Sequence, residues 1–287
     1  KKGERKRMGK VSLSLLVKAV EELPVLPVVV QKVIQLTEDP KSTAKDINNV
    51  LSQDQTLTAK VLRLANSAFY GFPRRIATVT EATIILGFQT IKSIVMAATV
   101  SEMLQKPLQG YALEQGELWK HSQTSAIAAR MLAREIKFSR LEVAYTASLL
   151  HDIGKLVLNT YLREGYQEIL EKVENERLTF TQAEEAVLGF NHAQVGAKIC
   201  EKWNLPPELV EAIALHHEPE RATITPKLVA ITHIADFVSV SIGMGVGIDG
   251  FLYAVSPEAV ALLGVSEAQI DRLLAQLTDV LVDQDSF

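Results

Sequence analysis

The run ASLLHDIGKLVL, residues 147–158, places His151 and Asp152 inside an otherwise apolar stretch. A carboxylate at such an address is costly to bury unless a cation or several hydrogen bonds meet it. A metal ion satisfies imidazole and carboxylate together, and the two oxygens of Asp152 are enough to bridge two ions. Lys155 follows His151 by four residues, one helical turn, near the same face. Other candidates share the apolar setting. Glu117, His121, Ser125, Ala128 and Leu132 fall on one helical stripe, and Asp236 lies within LVAITHIADFVSV. His192 follows Asn191 and opens a helix rich in small residues, whereas His216 and His217 close a helix begun near Pro207. Imidazole with carboxylate suits Fe, Mn, Zn or Ni rather than Ca or Mg.

Each residue taken singly has a plainer explanation. A core histidine is commonly hydrogen-bonded, a His–His pair at a helix end can answer the helix dipole, and Glu117 fits an ordinary helix-surface acid. His233 is read as structural. Taken together, His121, His151, Asp152, His192, His216, His217 and Asp236 would each need a separate reason for an apolar address, and one shared cation replaces them all.

The elements that must position these residues are helical. Apolar residues recur at three and four, as in Val29, Val33, Ile34 and Leu36, or Leu57, Val61, Leu62 and Leu64. Breaks fall at Pro24, Pro27, Asp39-Pro40, Gly71 to Pro73, Gly87, Pro107, Gly110, Pro206-Pro207 and Pro219. Thr43, Asp54, Thr80 and Ser266 are the expected N-caps, Ser266 with Gln269 in a capping box. Strand signals are weak; the glycines within 243–250 read as a loop. Residues 1–10 are expected to form a basic tail and 11–110 an N-terminal helical bundle. Residues 111–245 hold all six histidines, and 246–287 contribute a loop and one or two amphipathic helices packing back on the body.

Bulk properties narrow the class. The chain of 287 residues is 47% hydrophobic and 22% charged, a globular balance. Its net charge of −4 leaves no global footprint for nucleic acid. The local exception is Lys1, Lys2, Arg5, Lys6, Arg7 and Lys10, read as a solvated tail. No apolar run approaches the ~20 residues that span a bilayer; IVMAATV at 94–100 reads as buried helix. One cysteine, Cys200, cannot form an intrachain disulfide, and no signal-peptide pattern opens the chain. The expected compartment is therefore the cytoplasm.

The segments LPVLPVVVQKVIQLTEDP and LSQDQTLTAKVLRLANSAFYGFPRRIATVTEATIILG resemble the HDOD family, the HD-related output domains, most specifically at Leu62 to Gly71. NHAQVGAKICEKWNLPPELVEAIALHHEP, residues 191–219, is similar to the same family, and the resemblance covers roughly residues 20–240. It implies an all-α fold, an N-terminal helical bundle packed against a helical core like that of HD-domain phosphohydrolases. It also implies a ligand set: His121, His151, Asp152 and Asp236 at one metal, and His192, His216 and His217 at a second, with Asp152 bridging. Glu117 matches a carboxylate that some HD-GYP proteins use for an additional metal. Lys155 matches the lysine of HDIGK, which faces substrate phosphate where such a protein is an enzyme. After His217-Glu218 the chain runs PERATITPKL, without the Gly-Tyr-Pro loop of the cyclic di-GMP phosphodiesterases.

The first expectation of function is a bacterial-type signal-transduction output module. It would retain an HD-type site for one or two transition metal ions, Fe or Mn first, and act through a signalling protein partner without membrane or nucleic acid. The alternatives are a metal-dependent phosphohydrolase on a nucleotide, cyclic dinucleotide or other phosphoester, and a metal-free helical adaptor.

Overall fold

The computed structural model describes residues 20–21, 25–72, 74–245 and 254–284. The expected basic tail and most of the loop after residue 245 lie outside the described residues. Among the described residues the chain is all helical. It has no strand and a single isolated β-bridge between Leu108 and Leu113.

Five helices, α1 (Val28–Glu38), α2 (Ala44–Leu51), α3 (Gln55–Ala65), α4 (Val79–Leu86) and α5 (Phe88–Leu104), pack on one another as an N-terminal bundle. The stretch 94–100 lies in α5, where Ile91, Ile94, Val95, Ala98, Val100 and Leu104 are all buried. A stretch apolar on every side must be enclosed, and α5 joins the bundle to the rest, packing on α6 (Glu117–Glu135) and α7 (Leu141–Leu150). The remaining core helices are α8 (Lys155–Glu176), α9 (Phe180–Leu188), α10 (His192–Lys202), α11 (Pro207–Leu215) and α12 (Pro226–Ser241). Two C-terminal helices, α13 (Pro257–Leu263) and α14 (Glu267–Gln284), return to the body against α12 and α6. One continuous apolar cluster runs from Val20 to Leu277, so both halves share a core.

Local chemistry sets the helix starts. Thr43 and Asp46 form a capping box, and Asp54 accepts from the Leu57 N–H at 2.9 Å. Gln269 accepts from the Ser266 N–H at 3.0 Å. Thr80 is not a cap. The cap of α4 is Thr78, which accepts from the Glu81 N–H at 3.1 Å while Glu81 accepts from the Ala77 N–H at 2.9 Å. The two threonines are alike in type, but only Thr78 has a glutamate three residues on to answer it.

The LRLANSAFYG segment fastens the bundle to the core. The Asn66 side chain bonds both backbone groups of Ile76, at 2.9 and 2.8 Å. The Arg130 guanidinium of α6 stacks over Phe69 and Tyr70, 5.1 and 5.3 Å from the ring centroids, and pairs with Glu142 at 2.9 Å. Cation–π contacts in a partly desolvated setting contribute ~1–2 kcal/mol each.

Candidate metal centre

His151 is the C-cap of α7, and His151 to Gly154 form the turn into α8, not a continuous helix. Lys155 therefore meets Asp152 rather than His151: its Nζ donates to Asp152 Oδ2 at 2.5 Å. The turn lies against the start of α10. A Cβ on Gly154 would sit 1.9 Å from the carbonyl oxygen of His192, so only glycine allows the approach that carries His192 to Asp152. Asn191 caps α10 in a capping box with Gln194, fixing His192 as its first residue. His121 comes from α6, Asp236 from α12, and His216 and His217 from the end of α11.

Seven of the sequence candidates converge. His121, His151 and Asp236 offer ligand-type atoms all within 4.8 Å of one another; so do His192, His216 and His217, and also His151, Asp152 and His216. Asp152 stands between the groups. Its Oδ2 lies 3.4 Å from Nε2 of both His121 and His151, whereas its Oδ1 lies 3.3 Å from His192 Nε2 and 4.0 Å from His216 Nε2. Asp236 Oδ1 is 3.0 Å from His121 Nε2 and 3.4 Å from His151 Nε2. Glu117 is not drawn in; its carboxylate accepts from the Glu114 N–H at 2.5 Å, at the start of α6.

The outer nitrogens decide what the inner ones present. Nδ1 of His121 faces Met244 O at 3.1 Å, that of His151 faces Ser148 O at 2.6 Å, and that of His216 faces Ile213 O at 2.8 Å. His192 Nδ1 faces Glu184 Oε2 at 2.8 Å. Carbonyls and carboxylates only accept, so each Nδ1 carries the proton and each neutral ring turns an Nε2 lone pair inward. His121 and His151 then oppose their Nε2 lone pairs at 3.2 Å, and His192 turns its own toward the Nε2 of His217 at 3.0 Å. Facing lone pairs require a cation or a proton between them. His216 Nε2 is buried and has no hydrogen-bond partner, which is costly unless a ligand meets it. The donor set therefore fits a transition metal ion.

Without an ion, charge distributes as protons. Burial disfavours charge on His192, yet the Glu184 carboxylate and Asp152 override it and raise its pKa to about 10. Burial, reinforced by His151 and His192, pushes His216 down to about 3. Burial alone would raise Asp152 and Asp236. Lys155 and His151 hold Asp152 well below the usual range, and His151 and His121 do the same for Asp236.

Glu184 escaped the sequence reading, and His233 supports the site from behind. Glu184, fully buried, accepts from the Tyr111 hydroxyl at 2.5 Å and from both the backbone and the ring of His192. Its signal was present: Phe180, Ala183, Val187 and Leu188 are its apolar neighbours on the buried face of α9. His233, read as structural, has Nδ1 2.7 Å from His216 O and accepts from the Ser256 N–H at 2.8 Å, bracing the backbone of a candidate ligand.

Comparison with known proteins follows the same lines. The chain is 26% identical over 203 residues to an uncharacterized protein of Treponema pallidum, covering 69% of this chain but only 38% of that relative's length. A solved HDOD domain protein of unknown function from Geobacter sulfurreducens superposes with a TM-score of 0.74 at 25% identity, covering 96% of this chain and 97% of the other. A solved protein of Shewanella amazonensis, described as a candidate phosphohydrolase, superposes with a TM-score of 0.72 at 26% identity over 94% and 95% of the two chains. The sequence pattern of the HDOD domain matches residues 23–219, a span that takes in the bundle and six of the seven convergent side chains, and the chain belongs to the HDOD family.

Proposed function

We propose that this chain is a signal-transduction output module that holds one or two transition metal ions, Fe or Mn first, and acts through a protein partner. The observation that carries the metal reading is the pair of opposed Nε2 atoms of His121 and His151, whose outer nitrogens both face carbonyl oxygens, with the Nε2 of His192 likewise turned inward by Glu184. His121, His151 and Asp236 would hold one ion, His192, His216 and His217 a second, with Asp152 between them. Bound metal would supply Lewis-acid and charge-neutralising chemistry.

Output rather than turnover is favoured by the approach to this centre. A cleft of about 330 Å³ reaches its edge at His192 and His217; its wall carries Glu185, Glu218 and Glu220 and, among the described residues, neither lysine nor arginine. Arg221 pairs with Glu218 at 2.5 Å from outside. An anionic phosphoester entering there meets like charge, which disfavours it. Lys155, the residue that would assist a phosphate, is buried and engaged with Asp152. The reading as a metal-dependent phosphohydrolase draws on the converged His/Asp set and on the likeness to the Shewanella amazonensis protein.

The test is elemental analysis of wild type and His151→Ala, both purified without chelator or metal-affinity resin, followed by phosphoester assays on the metal-loaded protein. The expected result is bound Fe or Mn in wild type, less in the variant, and no appreciable hydrolysis of cyclic di-GMP. Metal-free wild type would leave a helical adaptor. Robust phosphodiester cleavage that His151→Ala abolishes at matched metal would make the chain an enzyme.

A further inference from the structure

Tyr111 stands where the two halves of the chain meet. It ends the short helical turn Gln109–Tyr111, which joins α5 to α6, and its side chain is fully buried. The turn is pinned on α8, where Asn159 Oδ1 accepts from the Gly110 N–H at 2.8 Å. Leu108 and Leu113 close it with paired backbone hydrogen bonds of 2.9 and 3.1 Å.

From this position Tyr111 reaches the centre by two routes. Its hydroxyl donates to Glu184 Oε1 at 2.5 Å, and Glu184 Oε2 accepts from His192, at 2.8 Å from Nδ1 and 3.0 Å from the backbone nitrogen. The face of its ring lies 5.5 Å from Lys155 Nζ, and Lys155 donates to Asp152 Oδ2. One side chain on the connector thus touches the supports of His192 and of Asp152, one residue from the second group and the other standing between the two groups.

We propose that Glu184 and Tyr111 are positioning residues of the metal centre, and that Tyr111 couples its occupancy to the connector over residues 105–116 and thence to the N-terminal bundle. The inference rests on the metal reading above. An ion at His192 Nε2 makes the ring a stronger Nδ1–H donor and tightens its bond to Glu184, and hence the bond from Tyr111. An ion at Asp152 competes with Lys155 for the carboxylate and alters the cation over the Tyr111 ring. Both changes occur in a buried setting, where a hydrogen-bonded chain responds as a unit. A ligand shifts a conformational equilibrium only through contacts that differ between its states, and these two routes are such contacts.

The experiment measures Mn²⁺ affinity and stoichiometry by calorimetry, and amide hydrogen exchange over residues 105–116 with and without Mn²⁺. It uses the full chain as wild type, Tyr111→Phe and Glu184→Gln. In wild type, Mn²⁺ slows exchange at the connector. Glu184→Gln keeps volume and an acceptor for Tyr111 but loses the charge-assisted bond to His192, and it binds Mn²⁺ about 10–100-fold more weakly. Tyr111→Phe keeps the ring under Lys155 and loses most of the Mn²⁺-dependent protection. Should Tyr111→Phe fail to fold, Glu184→Gln at saturating Mn²⁺ carries the same exchange test. A purely structural role would lower thermal stability while the folded protein kept wild-type affinity and protection, and that result overturns the proposal. Wild type that takes up no Mn²⁺ overturns the metal reading together with it; wild type that binds Mn²⁺ with no change at the connector overturns the coupling alone.

Discussion

Glu211 and Glu184 are both buried acids on helices, and what meets each one separates scaffold from site. Glu211 accepts from the backbone N–H groups of Thr223, Ile224 and Thr225 at 2.7, 2.8 and 2.7 Å, holding the approach to α12. Burial raises its pKa, but these backbone donors, Ile224 first, outweigh burial and leave it below the ordinary 4.5. A carboxyl group depressed by folding stabilises fully above its unfolded pKa, and the contribution is lost as pH falls through the folded value. Glu211→Gln should therefore cost ~1–3 kcal/mol at pH 7. The gap from wild type should close as pH drops below ~4.5; urea unfolding at pH 7, 5 and 3.5 reads this, and a gap independent of pH would refute it. The ligand-type residues were legible because their apolar addresses are visible one residue at a time. Glu184 was harder, since its meaning lies in Tyr111 and His192, 73 and 8 residues away along the chain. The buried helical stripe of α9 is the one signal the sequence carries for it.

At the scale of elements, periodicity located the helices well, and three of four caps fell where local chemistry put them. The exception, Thr80, shows that cap identity depends on the residue three places on. The expectation that Lys155 lies one helical turn after His151 overlooks the turn at 151–154, because nothing in the local pattern reveals that Gly154 is pressed against α10. That contact is testable. A Cβ at Gly154 would lie 1.9 Å from His192 O and 2.6 Å from Gly196 N, both backbone atoms that no side-chain rotation can clear. Gly154→Ala must push α10 away from the α7–α8 turn, and overpacking of this kind costs ~1–3 kcal/mol. Because the displaced element begins with His192, the same variant should lose Mn²⁺ affinity as well. A lowered urea midpoint with unchanged affinity would mean that α10 moves without carrying His192 from Asp152.

For the whole molecule, the centre draws side chains from α6, α10, α11, α12 and the α7–α8 turn, so an ion bound there would fasten elements far apart in sequence. The unfolded chain has no such site, and binding free energy becomes folding free energy. With free metal at 100 times its Kd the gain is ~2.7 kcal/mol. At roughly 2–4 °C per kcal/mol for chains somewhat smaller than this one, that predicts a midpoint higher by about 5–10 °C. The rise should grow with the logarithm of free metal rather than saturate once the site is filled, because each further increment of ligand continues to favour the folded state alone. Magnesium should do little, since the donor set is mainly imidazole. His151→Ala removes a side chain that faces both Asp152 and Asp236, and it should flatten the dependence on metal. Differential scanning calorimetry across a Mn²⁺ titration, after verified removal of bound metal, provides the measurement. A midpoint that stays fixed in wild type would mean that the opposed imidazoles are held by protons and by packing, and that the bundle and the core are joined without an ion.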